Sequence, residues 1–224
     1  MDIEKLRELI PVTAVILTYN EEAIISKTIE NIYNATDKYV AEVVVADTAS
    51  TDNTVEVAKN AGARVIQLGE LTSFSKARND AMKDVFTEWT LFIDADEIFP
   101  QKTKDFFPVL INHGRVKQNI SAFYFWRISV FDDIELGTEY QPRLLRTKEC
   151  KWNDAIIHEG IVTVGDVKEV QKDYYFEHRH SMNKQLFSNL LYQKLLQGES
   201  RPPRNRGAEY HGGKWVEIEI DKNG

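Results

Sequence analysis

A chain of 224 residues with 42% hydrophobic and 11% aromatic content suits one large domain and can bury a core, which excludes global disorder. A formal net charge of −7 argues against nucleic acid as a bulk partner. The single cysteine, Cys150, excludes an intramolecular disulfide framework and fits a reducing compartment.

Met1–Ile10 is charged and too broken for a signal peptide. No apolar run approaches the ~20 residues that a spanning helix needs. A cytoplasmic protein is therefore expected, with peripheral contact at the inner face of a membrane left open.

The first hundred residues alternate strand and helix signals. Val12 to Leu17 reads as a short apolar strand, followed by Thr18-Tyr19-Asn20 and a helix carrying Ile25, Ile29, Ile32 and Tyr33 on one face. Asn20 is the expected N-cap, with Glu21 and Glu22 in the first turn, where the helix dipole favours acids. Glu42 to Ala46 is a second strand ending at Asp47, and Ser50 to Ala61 a helix closed by Gly62. Arg64 to Leu68 gives a third strand, and a helix from about Phe74 to Val85 leads into a strand that ends at Asp94. Such alternation predicts a mainly parallel sheet with helices on both faces.

Ligands of these sheets bind beyond the carboxyl ends of the strands. Asn20, Asp47 and Asp94 each lie just past such an end, so all three are expected at one rim. In Leu91-Phe92-Ile93-Asp94-Ala95-Asp96-Glu97 a buried-strand pattern ends in three acids. Positions i and i+2 of an extended segment point the same way, so Asp94 and Asp96 can converge on one ligand set. Hard oxygen donors of this kind suit Mg²⁺ or Mn²⁺ with a phosphate completing the shell; a solvated acidic turn is the plain alternative. Arg78 falls inside the apolar stripe of its helix, with Phe74, Ala77, Ala81, Met82 and Val85. An unpaired guanidinium there is costly, so it requires either a structural carboxylate, Asp94 or Asp47, or a bound phosphate.

Pro108 is expected to leave any helix after the acids short or kinked. Ser121 to Ser129 is an aromatic-rich strand; Arg143 to Arg146, Val162 to Val164 and Asp173 to Phe176 are short ones. Asn183 to Gln197 reads as an amphipathic helix with Leu186, Leu190 and Leu191. Arg201 to Gly207 reads as a basic linker, and Lys214 to Ile220 as an edge strand. Phe123, Tyr124, Phe125, Trp126 and Trp152 are either core or a sugar-stacking surface.

The order Val15-Ile16-Leu17-Thr18-Tyr19-Asn20-Glu21-Glu22, Asp47-Thr48-Ala49-Ser50-Thr51-Asp52, Lys76-Ala77-Arg78-Asn79 and Asp94-Ala95-Asp96 resembles the family 2 glycosyltransferases over about residues 10–100. The later Gln141-Pro142-Arg143-Leu144-Leu145-Arg146 and Trp152…Ile157-His158-Glu159 resemble the bacterial branch related to lipopolysaccharide-core glucosyltransferases.

The resemblance implies a GT-A (Rossmann-like) α/β/α sandwich, with a mainly parallel central sheet and a smaller mixed C-terminal part. It implies a single domain over 1–200, with a nucleotide-sugar half at about 10–100, an acceptor half at about 101–200, and a linker and tail at 201–224. The implied activity is a hexosyltransferase-type one: inverting transfer from a nucleoside-diphosphate sugar, UDP-linked, to a glycan or glycolipid hydroxyl in surface-glycan or lipopolysaccharide synthesis. Thr18, Tyr19, Asn20, Glu22 and Asp47 would bind the nucleoside, Arg78 the base or diphosphate, and Asp94 the ribose. Asp96 would ligate Mn²⁺ or Mg²⁺. Where the family often has an acid or serine and then glycine, this chain has Thr48-Ala49, which bears on the base contact.

For the base that deprotonates the acceptor, Glu159 is the first candidate and Asp154 the second. His158 is either a further metal ligand or a structural histidine. Glu177-His178-Arg179-His180 resembles the histidine segment before the last helix of this branch, with a role at diphosphate or acceptor. Gly-x-Gly-x-x-Gly, Walker and Gly-x-Ser-x-Gly patterns are all missing from the sequence. The competing reading is a non-catalytic sugar-nucleotide-binding or scaffold protein of the same fold.

Overall fold

A computed structural model describes residues 12–36, 40–117, 119–131, 134–204, 206–211 and 213–220; the reading of Met1–Ile10 falls outside them. Four strands, β1 (Val12–Thr18), β2 (Val40–Asp47), β3 (Arg64–Gln67) and β4 (Trp89–Asp94), run parallel in the order β3-β2-β1-β4. Helices α1 (Ile25–Thr36), α2 (Thr54–Asn60) and α3 (Phe74–Met82) connect them. All four strands therefore end at one rim, as the alternation predicts.

Beyond β4 the chain forms β5 (Glu97–Ile98), α4 (Gln101–Val116), β6 (Ile120–Phe131), β7 (Ile134–Arg146), β8 (Cys150–Trp152) and β9 (Ile161–Thr163). It continues through β10 (Asp166–Glu169), β11 (Tyr175–His180), α5 (Met182–Leu196), β12 (Arg206–His211) and β13 (Lys214–Glu219). The central sheet has nine strands, its order continuing from β4 through β7, β6 and β11 to β5, with β10 beside β6. Strand β7 is antiparallel to β4 and β6, while β11 is parallel to β6 and antiparallel to β5. The β5–β11 pairing sets His178 opposite Glu97, which carries the late histidine segment to the acids after β4.

Period-two alternation divides the core between the faces of the sheet. Ile16 and Val43 pack with Ile25, Ile29, Phe107 and Ile111 on one side. Val15, Val44 and Phe92 pack with Ala81, Met82 and Trp152 on the other. This is the expected α/β/α arrangement. A third cluster, including Leu71, Phe187, Leu191, Leu195 and Ile220, fixes α5 beside the rim.

Several local expectations change, and the short strand expected at Arg143 to Arg146 is the end of the 13-residue β7. Helix α1 starts at Ile25 rather than after Asn20, because Asn20 adopts a left-handed backbone (φ 53°). Its side-chain oxygen instead accepts from Thr51 N at 2.7 Å, tying the first rim loop to the second. Helix α4 runs 16 residues and includes Pro108, so it is not short. An interior proline costs about 3 kcal/mol, but Phe107, Leu110 and Ile111 are buried on this helix, and that packing offsets the lost hydrogen bond.

Candidate functional site

The turn after β4 is anchored atom by atom. Glu97 is fully buried, and Arg143 of β7 grips it through Nη2 at 2.5 Å and Nε at 3.1 Å. The same carboxylate accepts from Asp94 N at 3.0 Å. Thr28 Oγ1 donates to Ala95 O at 2.5 Å, and Arg179 N to Asp96 O at 3.0 Å. With the backbone held on both sides, Asp94 and Asp96 turn into a cavity of about 860 Å³.

Arg78 is 5% exposed and has carboxylate partners, donating to Asp94 Oδ1 at 3.0 Å and Glu159 Oε1 at 2.7 Å, while its Nη1 is buried without a hydrogen-bond partner. Asn79 explains how Glu159 arrives there. Its amide donates to Trp152 O at 2.9 Å and its oxygen accepts from Trp152 N at 2.8 Å, clamping α3 to the end of β8, from which the loop to Glu159 starts. Trp152 in turn lies 5.0 Å from the Arg78 guanidinium. Burial works against the charge of Arg78, but Asp94 and Glu159 outweigh it and raise its pKa. Burial likewise opposes ionisation of Asp94, and Arg78 and Arg143 overcome it, holding the carboxyl below its ordinary 3.8.

Asp96 meets a different set. His178 Nε2 and Lys184 Nζ each stand 3.1 Å from its Oδ2. Although burial opposes it, Lys184 and His178 keep the Asp96 carboxyl well below the usual range. Burial disfavours the His178 imidazolium, but Asp96 prevails and raises its pKa. His180 is pushed down to about 4 by burial and by His178, so its imidazole is neutral.

Asp96, His178 and His180 present ligand atoms within 4.8 Å of one another, and Nδ1 of both histidines is buried without a hydrogen-bond partner. One hard oxygen with two imidazoles is a donor set that suits Mn²⁺ and accommodates Mg²⁺ less readily.

The other expected residues divide into two groups. Thr18, Tyr19, Arg78, Asp94, Asp96, His158 and Glu159 line the cavity. Asn20, Glu22, Asp47 and Asp154 are not among its lining residues. Glu22 Oε2 accepts from Asn53 N at 2.8 Å, and Asp47 Oδ2 from Ser50 N at 3.0 Å, so both shape the rim loops. Asp47 is buried and its Oδ1 accepts no hydrogen bond. Asp154 is exposed. His158 is exposed, has a left-handed backbone (φ 53°), and stands 5.7 Å from the Tyr192 ring rather than with Asp96. Phe123 and Phe125 are core residues; Trp152 is both core and cavity wall.

Several site residues were not singled out from the sequence. Arg201, from the basic linker, donates to Thr48 O at 2.6 Å and Thr48 Oγ1 at 2.8 Å, and its guanidinium lies 3.5 Å from the Tyr19 ring. Arg204 donates to Tyr19 O and, at 3.0 Å, to Asn20 O. The linker thus folds back as a strap over the first rim loop. Glu21 joins Lys184, and burial pushes its carboxyl up. The available signal was charge balance: acids buried at a rim need cations, and the linker and α5 carry them.

The sequence pattern of glycosyl transferase family 2 matches residues 13–197. An uncharacterized glycosyltransferase of Rickettsia typhi is 41% identical over 97 residues, which is 42% of this chain and 30% of that protein. The chain thus spans less than a third of that relative in the matched region. Glucosyl-3-phosphoglycerate synthase from Mycobacterium tuberculosis, solved with Mn²⁺, UDP and phosphoglyceric acid, aligns over 98% of this chain and 90% of its own at a TM-score of 0.56 and 16% identity. S. aureus TarS with UDP-GlcNAc aligns over 76% of this chain and 59% of its own at a TM-score of 0.53 and 16% identity. At such identities the two structures establish a shared fold.

Proposed function

The chain belongs to glycosyl transferase family 2, and we propose that it moves a sugar from a nucleoside-diphosphate sugar to an acceptor hydroxyl by single, inverting displacement. The observation that carries this reading is the donor set of Asp96, His178 and His180 at the carboxyl rim of the parallel strands, flanked by Arg78 and Lys184. UDP is the nucleotide we favour. The fold neighbours were solved with UDP and UDP-GlcNAc.

Displacement at an anomeric carbon leaves negative charge on the departing diphosphate. A divalent metal, Mn²⁺ or Mg²⁺, held by Asp96 with His178 and His180 would neutralise that charge. Asp94 is positioned by Arg78 for the ribose hydroxyls. Fixed charges of this kind need no reorganisation as the bond breaks. Glu159 is the base we propose: Arg78 holds Oε1, which leaves Oε2 to take the acceptor proton. Asp154, exposed on the same loop, is second.

The acceptor we propose is a glycan or glycolipid of a bacterial surface, on the lipopolysaccharide-core pattern. Gln141, Arg143, Trp152, His158 and Glu159, which carry that resemblance, all line the cavity. No helix among the described residues is long and apolar enough to cross a membrane.

Nucleotide release from UDP-, GDP- and dTDP-sugars with Mn²⁺ tests the reading. Release is expected to be fastest from a UDP-sugar, and Glu159→Gln is expected to cut transfer about 10²-fold or more while donor binding persists. Full activity in Glu159→Gln removes the proposed base. Tight donor binding without turnover favours the non-catalytic alternative.

A further inference from the structure

We propose that Lys184 is the protein's own cation for the donor diphosphate, sharing Asp96 with the metal and passing to the phosphate when the metal takes that carboxylate. The proposal rests on the glycosyltransferase reading. Lys184 Nζ lies 2.7 Å from Glu21 Oε1 and 3.1 Å from Asp96 Oδ2, so acids from two separate rim loops converge on one ammonium. The side chains of Glu21 and Asp96 are only 14% and 9% exposed. Arg204 Nη2 also stands 3.6 Å from Glu21 Oε1, so Glu21 keeps a cationic partner when the ammonium turns toward another anion.

His178 Nε2 contacts the same Asp96 oxygen as Lys184, at 3.1 Å. A divalent cation held by Asp96 and the histidines competes with the ammonium for the charge of the same carboxylate. Lysine has a flexible stem and three donors, which lets it keep Glu21 while turning toward a new anion. The anion that arrives with the metal is the diphosphate.

The helix geometry supports the same placement. Lys184 sits in the first turn of α5, a helix of 15 residues, and Ser181 Oγ caps that turn by accepting from Lys184 N at 3.3 Å. The positive end of the helix therefore lies on the side of the ammonium, and both favour a phosphate there. A purely structural ion pair would support the loops and the binding of every ligand alike. A phosphate cation discriminates between ligands with and without phosphate.

Calorimetric binding of UDP and of uridine in EDTA, together with Mn²⁺ titration of the nucleotide-free protein followed by electron paramagnetic resonance, separates these roles. The wild type is expected to prefer UDP over uridine without metal. Lys184→Met is expected to cut that preference about tenfold or more, to leave uridine affinity unchanged, and to bind Mn²⁺ more tightly. Lys184→Arg is expected to retain the preference. An unchanged UDP-to-uridine ratio in Lys184→Met, weaker Mn²⁺ binding in that variant, or no preference in the wild type overturns the role of Lys184 alone. A wild type that binds neither ligand, with or without Mn²⁺, overturns the transferase reading as well.

Discussion

The acids and the cations of the cavity come from different kinds of structure. Asp94 and Asp96, which line it, lie at and just past the end of β4, and Asp47, which does not, ends β2 on the other side of β1, so one topological rule brings them to one rim. The cations facing them come from α3, β7, α5 and the strap beyond α5, as Arg78, Arg143, Lys184, Arg201 and Arg204. No local pattern joins those segments; only packing does. The carboxylate side is thus a property of the sheet, and the cationic side a property of the assembled fold.

The comparison implies that removing a buried cation disturbs the fold more than removing an exposed one. Arg78→Leu removes the partner of the Glu159 carboxylate and leaves Asp94 only Arg143 at 3.8 Å, and is expected to destabilise the protein by about 3–5 kcal/mol, read as a shift in the urea midpoint. Arg64, paired with Glu42 at the outer edge and with a side chain 40% exposed, is the control, and Arg64→Ala is expected to stay within about 1 kcal/mol. Equal losses at the two positions would break the distinction.

A smaller effect sharpens the comparison through pH. The folded Asp94 pKa is depressed below 3.8, so the folded state binds fewer protons than the unfolded one as this group titrates. Its stabilising contribution is fully present above the unfolded value and is lost as pH falls through the lower folded value. The stability difference between wild type and Asp94→Asn should therefore be constant near neutrality and shrink in acid. A difference that grows in acid would contradict the pairing with Arg78 and Arg143.

The same division governs what was legible in the sequence. The parallel half could be read because apolar runs, turn residues and terminal acids recur in a fixed order, and the family resemblance adds roles to that order. Arg78 was legible for a related reason, since a cation inside an apolar helix stripe demands a partner. Asn20 misled because asparagine caps helices and also adopts left-handed turns; its bond to Thr51 N decides between the two. Pro108 misled because propensity is local, while the burial of Phe107 and Ile111 is tertiary. The strap read as a solvated linker because its contacts with Tyr19 and Thr48 span more than 150 residues. The pairing of His178 with Asp96 likewise depends on the β5–β11 register, across 82 residues.

The metal proposed for the donor site sits where the strand-end acids meet the late histidines. Anomalous diffraction from crystals grown with Mn²⁺ and UDP tests it directly. A manganese peak is expected within coordinating distance of Asp96, His178 and His180, with the diphosphate on its open side. A peak beside His158, or a bound UDP with no manganese at Asp96, would contradict it.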